Sequence, residues 1–221
     1  IMLSRTKNIS HIFTGIWGFT WTTNIHASIK LILKDMDILL IGSIIGSSGA
    51  GIYKIVKSIG DQFGKLNKPL SQSIYPEISR MVSNTKSIEI KAFIFKSMIF
   101  VLILCLGLIS VYFFIGEKAI NLLLGTQYIE AYLPSLIYLL GVVIAMVTFP
   151  FHPILLSLGK AIHSLTVLTV SSIFYFFLLY VFTYKFGIIG ASLSYVIFYI
   201  MWTFLQLIVI FNVSNRILKS E

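Results

Sequence analysis

The sequence predicts an all-α, polytopic membrane protein built as a bundle of six transmembrane helices, and three observations predict it. Of its 221 residues, 57% are hydrophobic and 11% charged, with a mean hydropathy of +0.93; a soluble domain carries about a quarter charged residues. The apolar residues fall into runs of the ~20 residues that a bilayer core requires. The cationic excess, +9 at pH 7, collects between and beside those runs, which suits membrane topology better than nucleic-acid binding. The single cysteine, Cys105, lies inside an apolar run, so neither a disulfide framework nor a CxxC site fits within this chain. The opening Ile1-Met2-Leu3 shows no basic, apolar, small-residue leader and predicts a fragment without a cleavable signal.

In chain order, the first apolar stretch runs from Ile9 to Ile45. It is too long for one straight crossing and polar in its middle, where Lys30, Lys34, Asp35 and Asp37 cluster. It reads as a helix with a polar inner face. Residues 46–51, GSSGAG, break the pattern and predict a tight turn. A second helix follows until Pro69 and Pro76 remove backbone donors and kink or end it. The uncharged run 97–116 is the core of the third span, and residues 117–124 predict a separate short interfacial helix ending at Gly125. Glu130 opens the fourth span; Pro134 sits in its first turn, where proline is tolerated, and Pro150 and Pro153 bend its far end. Gly159-Lys160 and the stretch 185–190 are turns that bound a fifth span and introduce a sixth. The predicted crossings are about 16–45, 51–82, 89–115, 131–157, 162–184 and 189–212, all within a single membrane lobe, 1–221.

With six crossings both termini share a side. That side collects Arg5, Lys7, Arg80, Lys86, Lys91, Lys96, Lys160, Arg216 and Lys219, against Lys118, Lys185, Glu117 and Glu130 opposite. The positive-inside rule then predicts cytoplasmic termini.

The ionisable residues within the spans are unevenly placed. Lys54, Lys57, Asp61, Lys65 and Lys68 follow one another by three- and four-residue steps, on one helical face. Lys30, Lys34 and Asp37 do the same on the preceding helix, while the four later spans carry almost no charge in their cores. Intramembrane charges are costly and usually face a bundle interior or water. The reading is a solvated, net cationic cavity that attracts phosphate or another anion, with Lys30, Lys34, Lys54, Lys57 and Lys65 as substrate-binding candidates. Asp37 and Asp61 are the candidates for charge tuning or ion coupling. The alternatives stay open: Lys54, Lys65 and Lys68 snorkelling to headgroups, Asp61 pairing with Lys57 or Lys65, and Asp37 pairing with Lys34. His11, His26, His152 and His163 lack metal-ligand spacing, so no metal and no cofactor is expected. Trp17, Trp21, Tyr112, Tyr128, Tyr132, Tyr184 and Trp202 read as interface and packing residues. Asn24 reads as either a cavity or a helix-packing group. There is no Walker loop, nucleophile elbow or HExxH motif, and no enzyme is expected.

Several short motifs occur in order: residues 37–42 DILLIG, 51–53 GIY, 75–80 YPEISR, 124–131 LGTQYIEA, 155–160 LLSLGK and 187–191 GIIGA. Together they resemble the second lobe of bacterial polysaccharide exporters, in particular the O-antigen flippase type of the multidrug/oligosaccharidyl-lipid/polysaccharide exporter superfamily. The resemblance implies a bacterial inner-membrane transporter of two six-helix lobes around a central cavity, of which this chain has room for one. It implies transfer of undecaprenyl-pyrophosphate-linked oligosaccharide to the periplasmic face by alternating access. The partners implied are that lipid-linked substrate, membrane lipids, an N-terminal lobe, and a polysaccharide polymerase with its chain-length regulator. The rival readings are a multidrug or cation antiporter lobe, disfavoured by the lysine excess, and a membrane-bound glycan polymerase or acyltransferase, disfavoured by the short loops.

Overall fold

The computed structural model describes residues 2–66, 69, 72, 76, 77, 80 and 87–218. Among them there is no strand. Helix α1 spans Met2–Lys65, α2 Ser87–Leu124, a 3-10 segment Thr126–Ala131, α3 Tyr132–Val147, α4 Phe151–Ser157 and α5 Ala161–Leu218. Four stretches are long and apolar enough to cross a membrane: Met36–Lys65, Ala92–Leu124, Thr126–Leu156 and Ala161–Asn212. The sequence reading expects six. These stretches support a multi-pass helical architecture but not the count of six; two of the expected boundaries fall at single non-helical residues, Gly46 in α1 and Gly187 in α5.

Both breaks turn the chain back on itself. Gly46 adopts φ 80, ψ 174 and Gly187 φ 58, ψ −138, regions that a side chain makes prohibitive. In a straight helix, residues 37 and 57 stand ~30 Å apart; here their side chains form an ion pair at 2.6 Å. Likewise the rings of Tyr175 and Phe198 approach to 5.2 Å across the second break. Each long helix is therefore a helical hairpin.

The remaining boundaries follow from the sequence. Gly125, at φ 100, ends α2, and Pro150 caps α4 after the break at 148–150, with Pro153 in its first turn. One expectation is corrected. Residues 117–124 form no separate interfacial helix but continue α2 without interruption. The charges at Glu117 and Lys118 do not end the helix, because charge alone does not break a helical hydrogen-bond ladder. Expected span 51–82 runs into residues 67–86, most of which lie outside the described set.

The core forms where α1, α3 and α5 meet. Ile41, Tyr53, Val56, Leu139, Leu168 and Leu179 are fully buried there. Tyr138 of α3 is the hub: it stacks on Tyr195 at 3.8 Å and meets Tyr53 edge-on at 6.1 Å. Two glycines permit this approach. A Cβ on Gly60 would enter the Tyr138 ring, and one on Gly141 would lie 2.7 Å from the Tyr195 ring and 3.3 Å from the Val196 backbone. Gly141→Leu is expected to cost about 1–3 kcal/mol through overpacking. Thermal melting in detergent should show the loss, with Gly107→Leu, which faces open space, as the control that melts no lower than the parent.

Helix α2 packs on α3 through a Tyr112–Ser135 hydrogen bond of 2.6 Å and through Tyr132, whose hydroxyl donates to the Phe113 carbonyl at 2.7 Å. Its other face exposes Phe95, Ile99, Ile103, Leu106 and Phe114, a surface suited to lipid. At the far end, α4 tucks Phe151 and Ile154 against Phe93, Met98 and Ile210, and His152 bonds Ser164 at 2.9 Å.

Candidate functional site

The first hairpin brings two charged residues from its opposite arms into the core. Asp37 is 2% exposed and Lys57 6%. The Lys57 ammonium donates to both Asp37 carboxylate oxygens, at 2.6 and 2.8 Å. The Ile38 amide donates to the same carboxylate at 2.7 Å, and the Tyr175 hydroxyl reaches it from α5 at 3.4 Å. Tyr53 completes the surroundings, adjoining both Asp37 and Tyr175. Burial of a charge is tolerated only when partners replace the lost water, and Asp37 has them from both hairpins.

This pair lies at the wall of a cavity of about 240 Å³ lined by Asp37, Lys57, Asp61 and Leu168 together with Tyr138, Tyr175, Tyr195, Phe198, Tyr199 and Trp202. The aromatic side comes mostly from the last arm of α5. Tyr195, Tyr199 and Trp202 succeed one another by four- and three-residue steps, which aligns them on one helical face. Their rings meet at steep angles: 68° between Tyr195 and Tyr199 at 4.9 Å, and 65° between Tyr199 and Trp202 at 5.6 Å.

The candidates from the sequence divide into groups. Asp37, Lys57 and Asp61 line the cavity together. Lys54 and Lys65 are exposed and outside its lining, and Lys65 donates to Gln62 at 3.1 Å. The side chains of Lys30 and Lys34, and all of Lys68, lie outside the described residues. Asp37 takes Lys57 as its partner, twenty residues on. Among the described residues no group of three or more metal-ligating side chains assembles.

Exposure along 51–65 is not arbitrary. Gly51, Lys54, Ser58, Gln62 and Lys65 are exposed, and their steps of three and four place them on one stripe. Asp61, half-buried, falls between that stripe and buried Lys57. Thus a polar face of the hairpin looks away from the core, unlike the apolar outer face of α2. Sequence reading missed the inner aromatic wall. Its signal was present in Tyr195, Tyr199, Trp202 and buried Gln206, spaced four, three and four, but an aromatic stripe in an apolar helix looks the same whether it meets lipid, core or cavity.

Fold and cavity define a polytopic, all-helical membrane protein with a charged and aromatic interior site. Residues 4–133 match the family described as polysaccharide biosynthesis protein. That is more than half of the chain, and the chain belongs to this family, so the resemblance to polysaccharide exporters holds at the level of the family. The chain is also 31% identical over 121 residues to the inner membrane protein YghQ of Escherichia coli (strain K12), a match covering 53% of this chain and 33% of that protein. The match thus takes in about a third of the relative's length. No solved structure matches.

Proposed function

We propose that this chain is one lobe of a two-lobed bacterial inner-membrane exporter that flips undecaprenyl-pyrophosphate-linked oligosaccharide for surface polysaccharide such as the O-antigen of lipopolysaccharide. In this reading the lobe crosses the membrane six times, because the chain reversals at Gly46 and Gly187 divide two long helices into four crossings. Both termini then lie in the cytoplasm, on the side richer in lysine and arginine. The family assignment and the inner-membrane relative support the setting. The reaction is transport and no bond is made or broken.

One observation carries the reading: the exposed polar stripe Gly51, Lys54, Ser58, Gln62 and Lys65 on a helix inside a membrane bundle. Lipid does not tolerate such a face, whereas a water-filled path between two lobes does. A second lobe opposite would enclose that path. Lys54 and Lys65 then offer charge-assisted bonds to the pyrophosphate, and the hydrophobic tail stays in the bilayer. A polymerase and its chain-length regulator would receive the flipped units.

The test reverses these charges. Lys54→Glu/Lys65→Glu in the complete transporter is expected to lower surface polysaccharide at least tenfold with the protein level in the membrane unchanged, since each contact to a charged group is worth about 1.5–3 kcal/mol. Unimpaired export would refute the role of the stripe. A multidrug or cation antiporter lobe is the second reading, and the observation that favours it is the acidic, aromatic lining of the interior cavity.

A further inference from the structure

A second cavity, of about 480 Å³, opens at the end of the bundle where the chain turns at Gly125 and Gly187. That volume lies within the ~300–1,000 Å³ of small-molecule sites. Glu117 of α2 and Glu130 of the 3-10 segment supply its charge. Leu133 and Pro134 of α3, with Phe186 and Ile189 beside the turn of α5, supply apolar walls. Both glutamates are exposed, and among the described residues neither has a hydrogen-bond or ion-pair partner. Among the same residues no lysine or arginine joins the lining. The walls are open as well: Leu133 is 53% exposed and Phe186 58%. Two carboxylates fall short of a metal site, and apolar walls offer a bare cation nothing.

The cavity adjoins the face that α2 turns to lipid. Tyr132 in its lining donates its hydroxyl to the Phe113 carbonyl at 2.7 Å, and Phe113 and Phe114 are 57% and 76% exposed. Apolar surface therefore runs from the outer face of α2 into the cavity walls. Glu117 lies near the end of the membrane-spanning stretch Ala92–Leu124, at the level where headgroups replace hydrocarbon. The occupant that fits is apolar at one end and cationic at the other. Lys118 follows Glu117 and Lys185 precedes Phe186, both exposed, so cations flank the acids from outside the lining. Every phospholipid has a phosphate for such lysines. Only one with an ammonium N–H can also make charge-assisted hydrogen bonds to the carboxylates.

We propose that this cavity binds the headgroup of an aminophospholipid, with the primary ammonium against Glu117 and Glu130, the phosphate toward Lys118 and Lys185, and the acyl chains along the outer face of α2. The bound lipid would tie the lobe to one lipid class and fix how deep the turn at Gly187 sits in the bilayer. The inference goes beyond the export reading and needs only the membrane setting, so the failure of either leaves the other standing. A glycerol headgroup lacks the ammonium and brings its anionic phosphate to two carboxylates. A trimethylated ammonium keeps the charge but has no N–H to donate. Both are discriminated against.

The purified protein in detergent micelles is titrated with phosphatidylethanolamine, phosphatidylcholine and phosphatidylglycerol of identical acyl chains, and bound lipid is counted by native mass spectrometry. Phosphatidylethanolamine is expected to bind about tenfold more tightly than phosphatidylglycerol, with phosphatidylcholine between them. Glu117→Gln/Glu130→Gln should abolish the preference; both side chains are exposed, so the exchange leaves the fold in place. Glycerophosphoethanolamine, the same headgroup without chains, should bind at least about tenfold more weakly than the lipid, because the walls are apolar. Phosphatidylcholine or phosphatidylglycerol bound as tightly as phosphatidylethanolamine, an unchanged preference in the folded variant, or a free headgroup bound as tightly as the lipid would each overturn the proposal. So would saturable binding of a lysine- and leucine-rich peptide that phosphatidylethanolamine does not displace, which is the outcome for a protein-docking groove. The preference is read on the unaltered protein, so it needs no variant to fold.

Discussion

Replacing Lys57 by methionine is expected to destabilise the folded lobe by about 3–5 kcal/mol. The loss comes less from the broken ion pair than from what remains. Asp37, 2% exposed, would keep its bonds from the Ile38 amide and Tyr175 but lose the cation at 2.6 Å that offsets its burial. The converse change, Asp37→Leu, removes the carboxylate that accepts from the buried Lys57 ammonium at 2.6 and 2.8 Å and should also be destabilising. Removing both together should recover most of the stability, because a buried pair replaced by apolar groups of similar volume is often neutral or better. Unfolding of the two single variants and of Asp37→Leu/Lys57→Met, followed by thermal melting in detergent, forms the double-mutant cycle. Additive losses in the double variant would show that the two residues act independently and would contradict the hairpin geometry at Gly46. If the pair serves folding alone, the folded double variant exports normally; a loss of export at full stability would assign it a part in transport.

The second large effect is expected at Gly190. An alanine Cβ there would run into the carbonyl of Phe182 on the opposite arm of the hairpin, close to the turn at Gly187. No rotamer change relieves a clash with backbone, so the two arms must separate. The cost should reach about 3 kcal/mol, the upper end of ordinary overpacking. Gly107→Ala is the matched control: it faces open space within α2, and a glycine replaced by alanine inside a helix gains about 0.5–1 kcal/mol. The comparison is made by the fraction of extracted protein that stays monodisperse after heating. Equal survival of Gly190→Ala and Gly107→Ala would mean that the arms are not packed as closely as the structure shows.

Residues 185–190 were legible as a turn because glycine recurs there, and 46–51 for the same reason. Sequence could not choose which glycine carries the reversal, since Gly46, Gly49 and Gly51 offer the same freedom; the packing of the two arms selects Gly46. The fourth span's bend was legible from Pro150 and Pro153 because proline acts locally, through a missing donor and a ring clash. Composition suggests a helix end near Glu117, yet α2 runs on to Leu124, because composition does not dictate conformation. A helix continues as long as its backbone donors and acceptors continue to pair, and nothing between 110 and 124 prevents that.

The charged residues show the same division. Their sequence spacing placed Lys54, Lys57, Asp61 and Lys65 on one broad face, which is the helical period at work. Whether a given member of that face looks inward or outward depends on a rotation of a few tens of degrees, set by the neighbouring helices. The structure puts Lys57 inside and Lys54 and Lys65 outside. The partnership of Asp37 with Lys57 needs the hairpin, and the aromatic wall needs the last arm of α5 laid against both.

By itself the sequence determined that this chain belongs in a membrane, that it is helical throughout its apolar runs, where most of those runs stop, and which family it resembles. Those properties follow from hydropathy, helical periodicity and the local backbone chemistry of glycine and proline, all of which act over a few residues. Tertiary structure alone decided that Asp37 neutralises Lys57, that Tyr138 can stack on Tyr195 across two glycines, and that an acidic and aromatic cavity forms where three helices meet. These depend on the rotation and approach of segments as much as 138 residues apart, as in the Tyr175–Asp37 contact, and no local pattern specifies such a distance.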